Sequence, residues 1–253
     1  MTVAVSAHQG GSEAAPPGTW EAYEHALTLG ADYVELDIRR TRDGELVAFH
    51  DARVGKGGPW VRDLTRSELS ARAGREVPGV RELLALMSGR ALGHIDVKEA
   101  GYETQIIEAT GEALGEDAFV ITSGDPVIDA IKRAFPQVRC ALALGGGLFR
   151  SRSGELYPAR RMHACGADSF AVHHRLADLT VLRVCARFQV SAMVYTVNDT
   201  GRMRRYLRDD RVAVLVTDRP RHALALRENL TPAAIPLRPG FDDTTPVTDY
   251  TAA

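Results

Sequence analysis

Short apolar runs rich in β-branched residues recur eight times along the chain, and longer amphipathic stretches lie between them. A strand buried on both faces reads as a continuous apolar run, whereas a helix that covers a sheet repeats its apolar residues every 3.6 positions. The alternation predicts βα units and a parallel sheet, and eight units predict an α/β fold, a TIM (β/α)8 barrel. The predicted strands cover residues 3–7, 33–38, 92–97, 119–122, 139–143, 169–172, 192–196 and 213–217, with one extra short run at 46–49.

The length of 253 residues fits either two small domains or one barrel. Eight strands favour a single barrel domain over residues 1–227. Thr19 and Gly30 have the positions of an N-cap and a terminating glycine around the first helical pattern. The predicted helices cover residues 20–27, 80–87, 104–114, 126–134, 178–188 and 200–208. From residue 228 the periodicity is lost, which predicts an irregular C-terminal tail over residues 228–253.

Charge and composition exclude several classes of function. Lysine and arginine total 31 against 33 acidic residues, and the net charge of −2 argues against a nucleic-acid binder that neutralises phosphates. No segment is apolar for long enough to cross a bilayer, and the N-terminus lacks a secretory signal, so we expect a cytoplasmic protein. Three unevenly spaced cysteines predict buried apolar side chains in a reducing compartment, not a disulfide framework or a zinc site.

Carboxylates are concentrated where the second and third predicted strands end. Glu35 and Asp37 are two positions apart, so both side chains point to one face of a strand, and Asp96 and Lys98 repeat this spacing on the next strand. Carboxylates on one face repel each other unless a cation lies between them. Oxygen ligands without a thiolate suit one hard divalent ion, Mg²⁺ or Ca²⁺. Solvated strand-end charges or a structural ion-pair cluster are the alternative for any single pair.

Two histidines follow predicted strands and flank this cluster. His8 ends the first strand, and His50, followed by Asp51, ends the extra run. Imidazole can act as acid or base near neutral pH, so both are candidates for proton transfer, although a single histidine at a strand end is more often a packing residue. His173 and His174 follow the sixth strand, and one of them is a candidate for lining the substrate pocket.

Seven motifs resemble, in order, those of the glycerophosphodiester phosphodiesterase family, and together they span residues 7 to about 220. The family pattern has His-Arg-Gly, Pro-Glu-Asn-Thr, Gly-Ala-Asp-x-x-Glu-x-Asp, Thr-x-Asp-Gly with His-Asp, Glu-x-Lys, Trp-Thr-Val-Asn and Thr-Asp-x-Pro. The corresponding segments here are His8-Gln9-Gly10, Pro16-Pro17-Gly18-Thr19, Gly30-Ala31-Asp32-Tyr33-Val34-Glu35-Leu36-Asp37, Thr41-Arg42-Asp43-Gly44 with His50-Asp51, Asp96-Val97-Lys98, Tyr195-Thr196-Val197-Asn198 and Thr217-Asp218-Arg219-Pro220.

The resemblance implies a metal-dependent barrel phosphodiesterase acting on a glycerophosphodiester or another small phosphodiester. It implies that Glu35, Asp37 and Asp96 hold the divalent ion, and that His8 and His50 are the general acid and base. Lys98 would stabilise charge on the phosphoryl oxygens. The remaining candidates for substrate or phosphate binding are Gln9, Asp51, His173, Tyr195 and Asn198.

Four departures from the family pattern are predicted to lie at the mouth of the barrel. Gln9 replaces an arginine, Pro17 and Gly18 replace Glu and Asn, Asp96 is one methylene shorter than Glu, and Gly124 stands where Phe often follows the serine. A neutral amide cannot replace a planar bidentate cation at a phosphate, so we expect an altered substrate or altered chemistry.

Three alternatives therefore stay open. They are a phospholyase that forms a cyclic phosphate, an enzyme acting on a prenyl or specialised-metabolite phosphate, and a barrel that binds phosphate without turnover.

Overall fold

The computed structural model describes residues 2–145 and 158–230. Its strands are Ala4–Ala7 (β1), Tyr33–Arg40 (β2), Leu46–Ala48 (β3), Leu92–Val97 (β4), Phe119–Ser123 (β5), Cys140–Leu144 (β6), Ser169–His173 (β7), Ala192–Tyr195 (β8) and Val212–Thr217 (β9). Eight of them are parallel in the order β1-β9-β8-β7-β6-β5-β4-β2, and β1 pairs with β2 to close the ring. The prediction of a single TIM barrel is confirmed, because each predicted run contributes one strand.

The extra run at 46–49 is not part of the barrel ring. As β3 it pairs antiparallel with the end of β2, where Ile38 lies opposite Ala48. The turn at Thr41–Gly44 reverses the chain, and Gly44 has φ +84°, a conformation that side chains disfavour. This excursion carries the residues that follow β3 to the carboxyl-terminal end of the barrel.

Helices cover the outside of the ring. They are Trp20–Thr28 (α1), Arg66–Ala73 (α2), Val80–Met87 (α3), Glu103–Leu114 (α4), Asp125–Ala134 (α5), Pro158–Cys165 (α6), Leu182–Phe188 (α7), Thr200–Tyr206 (α8) and Pro220–Leu230 (α9). The predicted N-cap is confirmed, since Thr19 Oγ1 accepts a hydrogen bond from the backbone N–H of Ala22. The region predicted as a helix over 178–188 begins with a π-helical turn at Ala177–Val181 before α7.

Three of the helices just named were missing from the prediction. α2 buries only Leu69, so it lacks the apolar period by which helices are found, and a capping box at Thr65 and Glu68 starts it instead. α6 and α9 also went unpredicted. α9 continues to Leu230, past the predicted start of the tail, and the other residues of that segment, 231–253, lie outside the described residues.

The interior of the barrel changes from apolar to polar toward the carboxyl ends of the strands. Its apolar layer contains Ala141, Ala171, Met193, Val214 and Val216. His94, which is buried, connects Ser6 Oγ (3.0 Å) with Thr122 Oγ1 (3.1 Å). Burial lowers the pKa of His94 to about 3, so the ring is neutral and serves as a packed, hydrogen-bonded part of the core.

The three cysteines are buried and unpaired, as predicted, and burial raises the pKa of the Cys185 thiol to about 11. Within the described ranges, none of the helices combines the length and the apolar character needed to cross a membrane.

Candidate active site

Three carboxylates meet at the carboxyl end of the barrel. Glu35 and Asp37 project into the interior from β2, and parallel pairing places Asp96 of β4 directly beside Asp37. One ligand oxygen from each residue lies within 4.8 Å of the other two. Glu35 and Asp37 are each only 2% exposed. Side chains two positions apart on a strand point to the same face, and the register of β2 with β4 adds Asp96, so the three predicted side chains lie together.

Lys98 partly neutralises this cluster. Its Nζ lies 2.7 Å from Asp37 Oδ1 and 2.5 Å from Asp96 Oδ2. Burial opposes its charge, but the carboxylates of Asp96 and Asp37 outweigh burial and raise the pKa of Lys98. Burial and the charge of Asp37 raise the pKa of Glu35 well above its usual value, and burial raises that of Asp96. Burial also opposes ionisation of Asp37, yet Lys98 holds the pKa of that carboxyl below its usual value.

The cluster fits a divalent cation. Three carboxylates and one ammonium leave two negative charges when all are ionised, and a divalent ion would balance them. The buried Oδ2 of Asp37 has no hydrogen-bond partner among the described residues, although buried polar atoms are normally satisfied. All the ligand atoms are oxygens, which Mg²⁺ and Ca²⁺ prefer.

His8 follows β1 and is held by polar contacts with residues that follow β9 and β8. Its Nδ1 lies 2.6 Å from Asp218 Oδ1, and Asn198 Nδ2 donates to Asp218 Oδ2 at 2.5 Å. Burial lowers the pKa of His8, but the charges of Glu35, Asp218 and Asp37 outweigh burial and raise it to about 9. Asp218 was not among the predicted site residues, although its position at a strand end and in the last motif was a usable signal.

His50 follows β3 and is half-exposed. Its Nδ1 lies 2.8 Å from Asp51 Oδ1. The buried Arg39 donates to the carbonyl oxygen of His50 from both Nε (3.0 Å) and Nη2 (2.9 Å), and it also pairs with Glu99. Arg39 therefore fixes the backbone at His50, a positioning role that the sequence analysis missed.

A cavity of about 260 Å³ lies beside these groups. Its lining consists of Gln9, Gly18, Tyr23, Asp37, Ala48, Phe49, His50, Asp51 and Arg75. Gln9 has φ +50°, and its backbone N–H donates to Glu35 Oε2 at 2.7 Å. That hydrogen bond offsets the cost of left-handed backbone at a residue with a side chain, which is about 1 kcal/mol.

The other predicted substrate residues are not part of this cavity. His173 and Tyr195 lie at the ends of β7 and β8, and β7 is four strands from β2 around the ring. Their rings meet edge to face with 5.9 Å between centroids, and the Tyr195 hydroxyl donates to the Leu144 carbonyl. Asn198 contacts Asp218, and through it His8.

Comparisons with known proteins find similar sequences and structures. Residues 8–88 match the family model described as "Glycerophosphoryl diester phosphodiesterase family". The chain is 28% identical over 240 residues to a glycerophosphodiester phosphodiesterase of Caldanaerobacter subterraneus subsp. tengcongensis, covering 87% of this chain and 96% of the relative. The matched segment 8–88 contains both histidines and two of the three clustered carboxylates.

Solved structures share the fold. A glycerophosphodiester phosphodiesterase from Thermotoga maritima has a TM-score of 0.74 at 23% identity, covering 89% of this chain and 99% of that chain. An Oleispira antarctica phosphodiesterase, solved in complex with the product sn-glycerol-3-phosphate, has a TM-score of 0.74 at 18% identity, covering 90% and 97%.

Proposed function

Because this chain belongs to the glycerophosphoryl diester phosphodiesterase family, we propose that it hydrolyses a glycerophosphodiester or a closely similar small phosphodiester by general acid–base catalysis. The observation that carries this proposal is the meeting of two carboxylate-paired imidazoles and a three-carboxylate cluster at one end of the barrel. Phosphodiester hydrolysis needs a base for the nucleophile, an acid for the leaving alkoxide and positive charge at the phosphate.

His8 is the general acid in this proposal. Its pKa of about 9 keeps the ring protonated at neutral pH, so it can give a proton to the leaving alkoxide. Asp218 contacts Nδ1 and leaves Nε2 as the nitrogen for that transfer. Asn198 donates to Asp218 and so holds the carboxylate in place.

His50 is the general base. Asp51 contacts its Nδ1, which leaves Nε2 to accept a proton from the nucleophile. The nucleophile is either water or a neighbouring hydroxyl of the substrate. Arg39 keeps the His50 backbone fixed against the end of β2.

Glu35, Asp37 and Asp96 would hold one divalent ion, Mg²⁺ or Ca²⁺. When bound, such an ion supplies positive charge that polarises the phosphoryl group. Lys98 contacts two of the three ligands, Asp37 and Asp96, and its charge favours their ionised forms and holds them close together.

The substrate is small in this proposal, because the cavity beside Asp37 and His50 measures about 260 Å³. Gln9 and Asp51 line that cavity and would contact the bound substrate directly. His173 and Tyr195, across the barrel mouth, would contact an alcohol group that extends from it.

The first test is an assay of the purified protein with sn-glycero-3-phosphocholine in the presence of Mg²⁺ or Ca²⁺, followed by phosphorus NMR. We expect glycerol phosphate to form, and we expect His8→Ala and His50→Ala each to lower kcat by about 10²- to 10⁴-fold. His163→Ala, at an exposed position on α6, is the matched control and should retain wild-type activity.

Wild-type activity in both histidine variants would contradict the assigned roles. A stable cyclic phosphate as the only product would favour the phospholyase alternative, and phosphate binding without any product would favour a non-catalytic barrel.

A further inference from the structure

Arg75 lines the candidate active-site cavity, although neither the motifs nor the acid–base chemistry assign it a role. It follows α2, where Gly74 turns the chain with φ +66°. Its Nη1 donates to the carbonyl oxygen of Gly18 at 2.7 Å. That hydrogen bond fixes one edge of the guanidinium, so the group is held in place before any ligand arrives.

Arg75 also differs from the other cations near the site, because its guanidinium is not paired with a carboxylate of any described residue. Of the nine described residues that line the cavity, it is the one lysine or arginine. Among the residues that the structure describes, no carboxylate oxygen lies within 4.0 Å of its guanidinium. In contrast, Lys98 is paired with two carboxylates and Arg39 with Glu99. A half-buried guanidinium without an anionic partner is suited to an anionic ligand.

Gly18 and Gln9 lie beside this side chain. A Cβ atom at Gly18 would lie 3.4 Å from Arg75 Nη2 and 3.9 Å from Gln9 Oε1, and Gly18 has φ +73°. The Gly18 N–H also donates to the Gln9 carbonyl at 2.8 Å. The three residues therefore form one contiguous group, here called the arginine corner: Gln9, Gly18 and Arg75. Two positions at which the sequence departs from its family thus surround the uncommitted guanidinium.

We propose that Arg75 binds a non-bridging oxygen of the substrate phosphate through Nη2, with the Gln9 side-chain amide as a neutral neighbour; this inference rests on the proposed function. The guanidinium comes from the loop after α2 instead of from the position after the first histidine. Its planar N–H donors match the geometry of phosphate oxygens, and Nη1 is already occupied by Gly18. Arg75 thus supplies, from another part of the chain, the positive charge that the neutral Gln9 cannot.

The test compares Arg75→Gln and Arg75→Lys with Arg72→Gln, which removes the same charge from an exposed position three residues earlier. Two quantities are measured: KM and kcat for sn-glycero-3-phosphocholine, and the Kd of sn-glycerol 3-phosphate by calorimetry. We expect Arg75→Gln to raise both KM and Kd about 10- to 100-fold, because the loss of a hydrogen bond to a charged group weakens binding by that factor. Arg75→Lys keeps the charge, so its KM and Kd should rise less. Arg72→Gln should have the KM and Kd of the wild type. Thermal unfolding checks that each variant is folded.

The two readouts separate this proposal from the proposed function. If the wild type cleaves the diester and both Arg75 variants keep its KM and Kd, the role of Arg75 is overturned and the function stands. If the wild type binds sn-glycerol 3-phosphate without cleaving any diester, and Arg75→Gln loses that binding, the function fails and the role of Arg75 stands.

Gln9→Arg adds a further arm. If Gln9 and Arg75 face one phosphate, Gln9→Arg raises kcat/KM by a larger factor in the Arg75→Gln background than in the wild type, because the wild-type corner already holds a guanidinium. An equal factor in both backgrounds would mean that the two positions act independently, and it would overturn the proposal.

Discussion

Replacing Glu35 by glutamine is expected to have opposite effects on stability with and without a divalent ion. Glu35 is 2% exposed, and its ligand oxygen lies within 4.8 Å of those of Asp37 and Asp96. Without a divalent ion, its charge therefore repels two neighbouring carboxylates, which Lys98 neutralises only in part. Glutamine keeps the shape and can still accept the hydrogen bond from the Gln9 N–H.

The magnitude follows from the separation. Two unit charges about 4.8 Å apart repel by about 3 kcal/mol at an effective dielectric constant of about 20. The raised pKa of Glu35 means that the folded protein relieves part of this repulsion by binding a proton at Glu35. The free energy of unfolding therefore falls as the pH rises through the pKa of Glu35 in the folded state. At pH 8 we expect metal-free Glu35→Gln to be more stable than the wild type by about 1–2 kcal/mol. This corresponds to a rise in Tm of roughly 2–8 °C for a chain of this size.

With a divalent ion bound, the wild type is expected to be more stable than Glu35→Gln. At 100 times its Kd, a bound ion stabilises the wild type by about 2.7 kcal/mol, whereas Glu35→Gln has lost one of three carboxylate ligands and gains less. The assay is thermal unfolding of chelator-treated protein, followed by titration with Mg²⁺ or Ca²⁺. Glu108→Gln, at an exposed position on α4, is the control for loss of one charge. The reasoning is refuted if metal-free Glu35→Gln is less stable than the wild type, or if neither ion raises the wild-type Tm.

Two further predictions concern the acid and the first turn of the barrel. Asp218→Asn removes a charge that raises the pKa of His8, so the alkaline limb of kcat/KM against pH should move to lower pH; an unmoved limb would contradict His8 as the acid. Gly10→Ala should lower the free energy of unfolding by about 2 kcal/mol more than Gly30→Ala in denaturant titrations. Both glycines have positive φ, but only the Cβ at Gly10 would approach backbone, at 2.7 Å, and equal losses would exclude that clash.

The sequence predicts those features that local periodicity encodes. Period-two spacing places Glu35 and Asp37 on one face, and equal strand phase brings Asp96 beside them, so the cluster was predictable residue by residue. The contact between His8 and Asp218 could not be predicted in this way, because it depends on how the first and last strands meet when the ring closes. Arg75 was missed for a different reason. It lies in a turn beyond a helix with a single buried residue, and only the packed structure brings it beside Gly18.

Closure of the ring also determines when the chain can become active during its synthesis. β1 pairs with β9, and Asp218 comes 210 positions after the histidine that it contacts. A nascent chain that has emerged from the ribosome only through β8 has both histidines and all three carboxylates, but it lacks the group that holds His8. We expect such a chain to be inert toward phosphodiesters. Hydrolytic activity then reports completion of the barrel and not merely the presence of the proposed catalytic side chains.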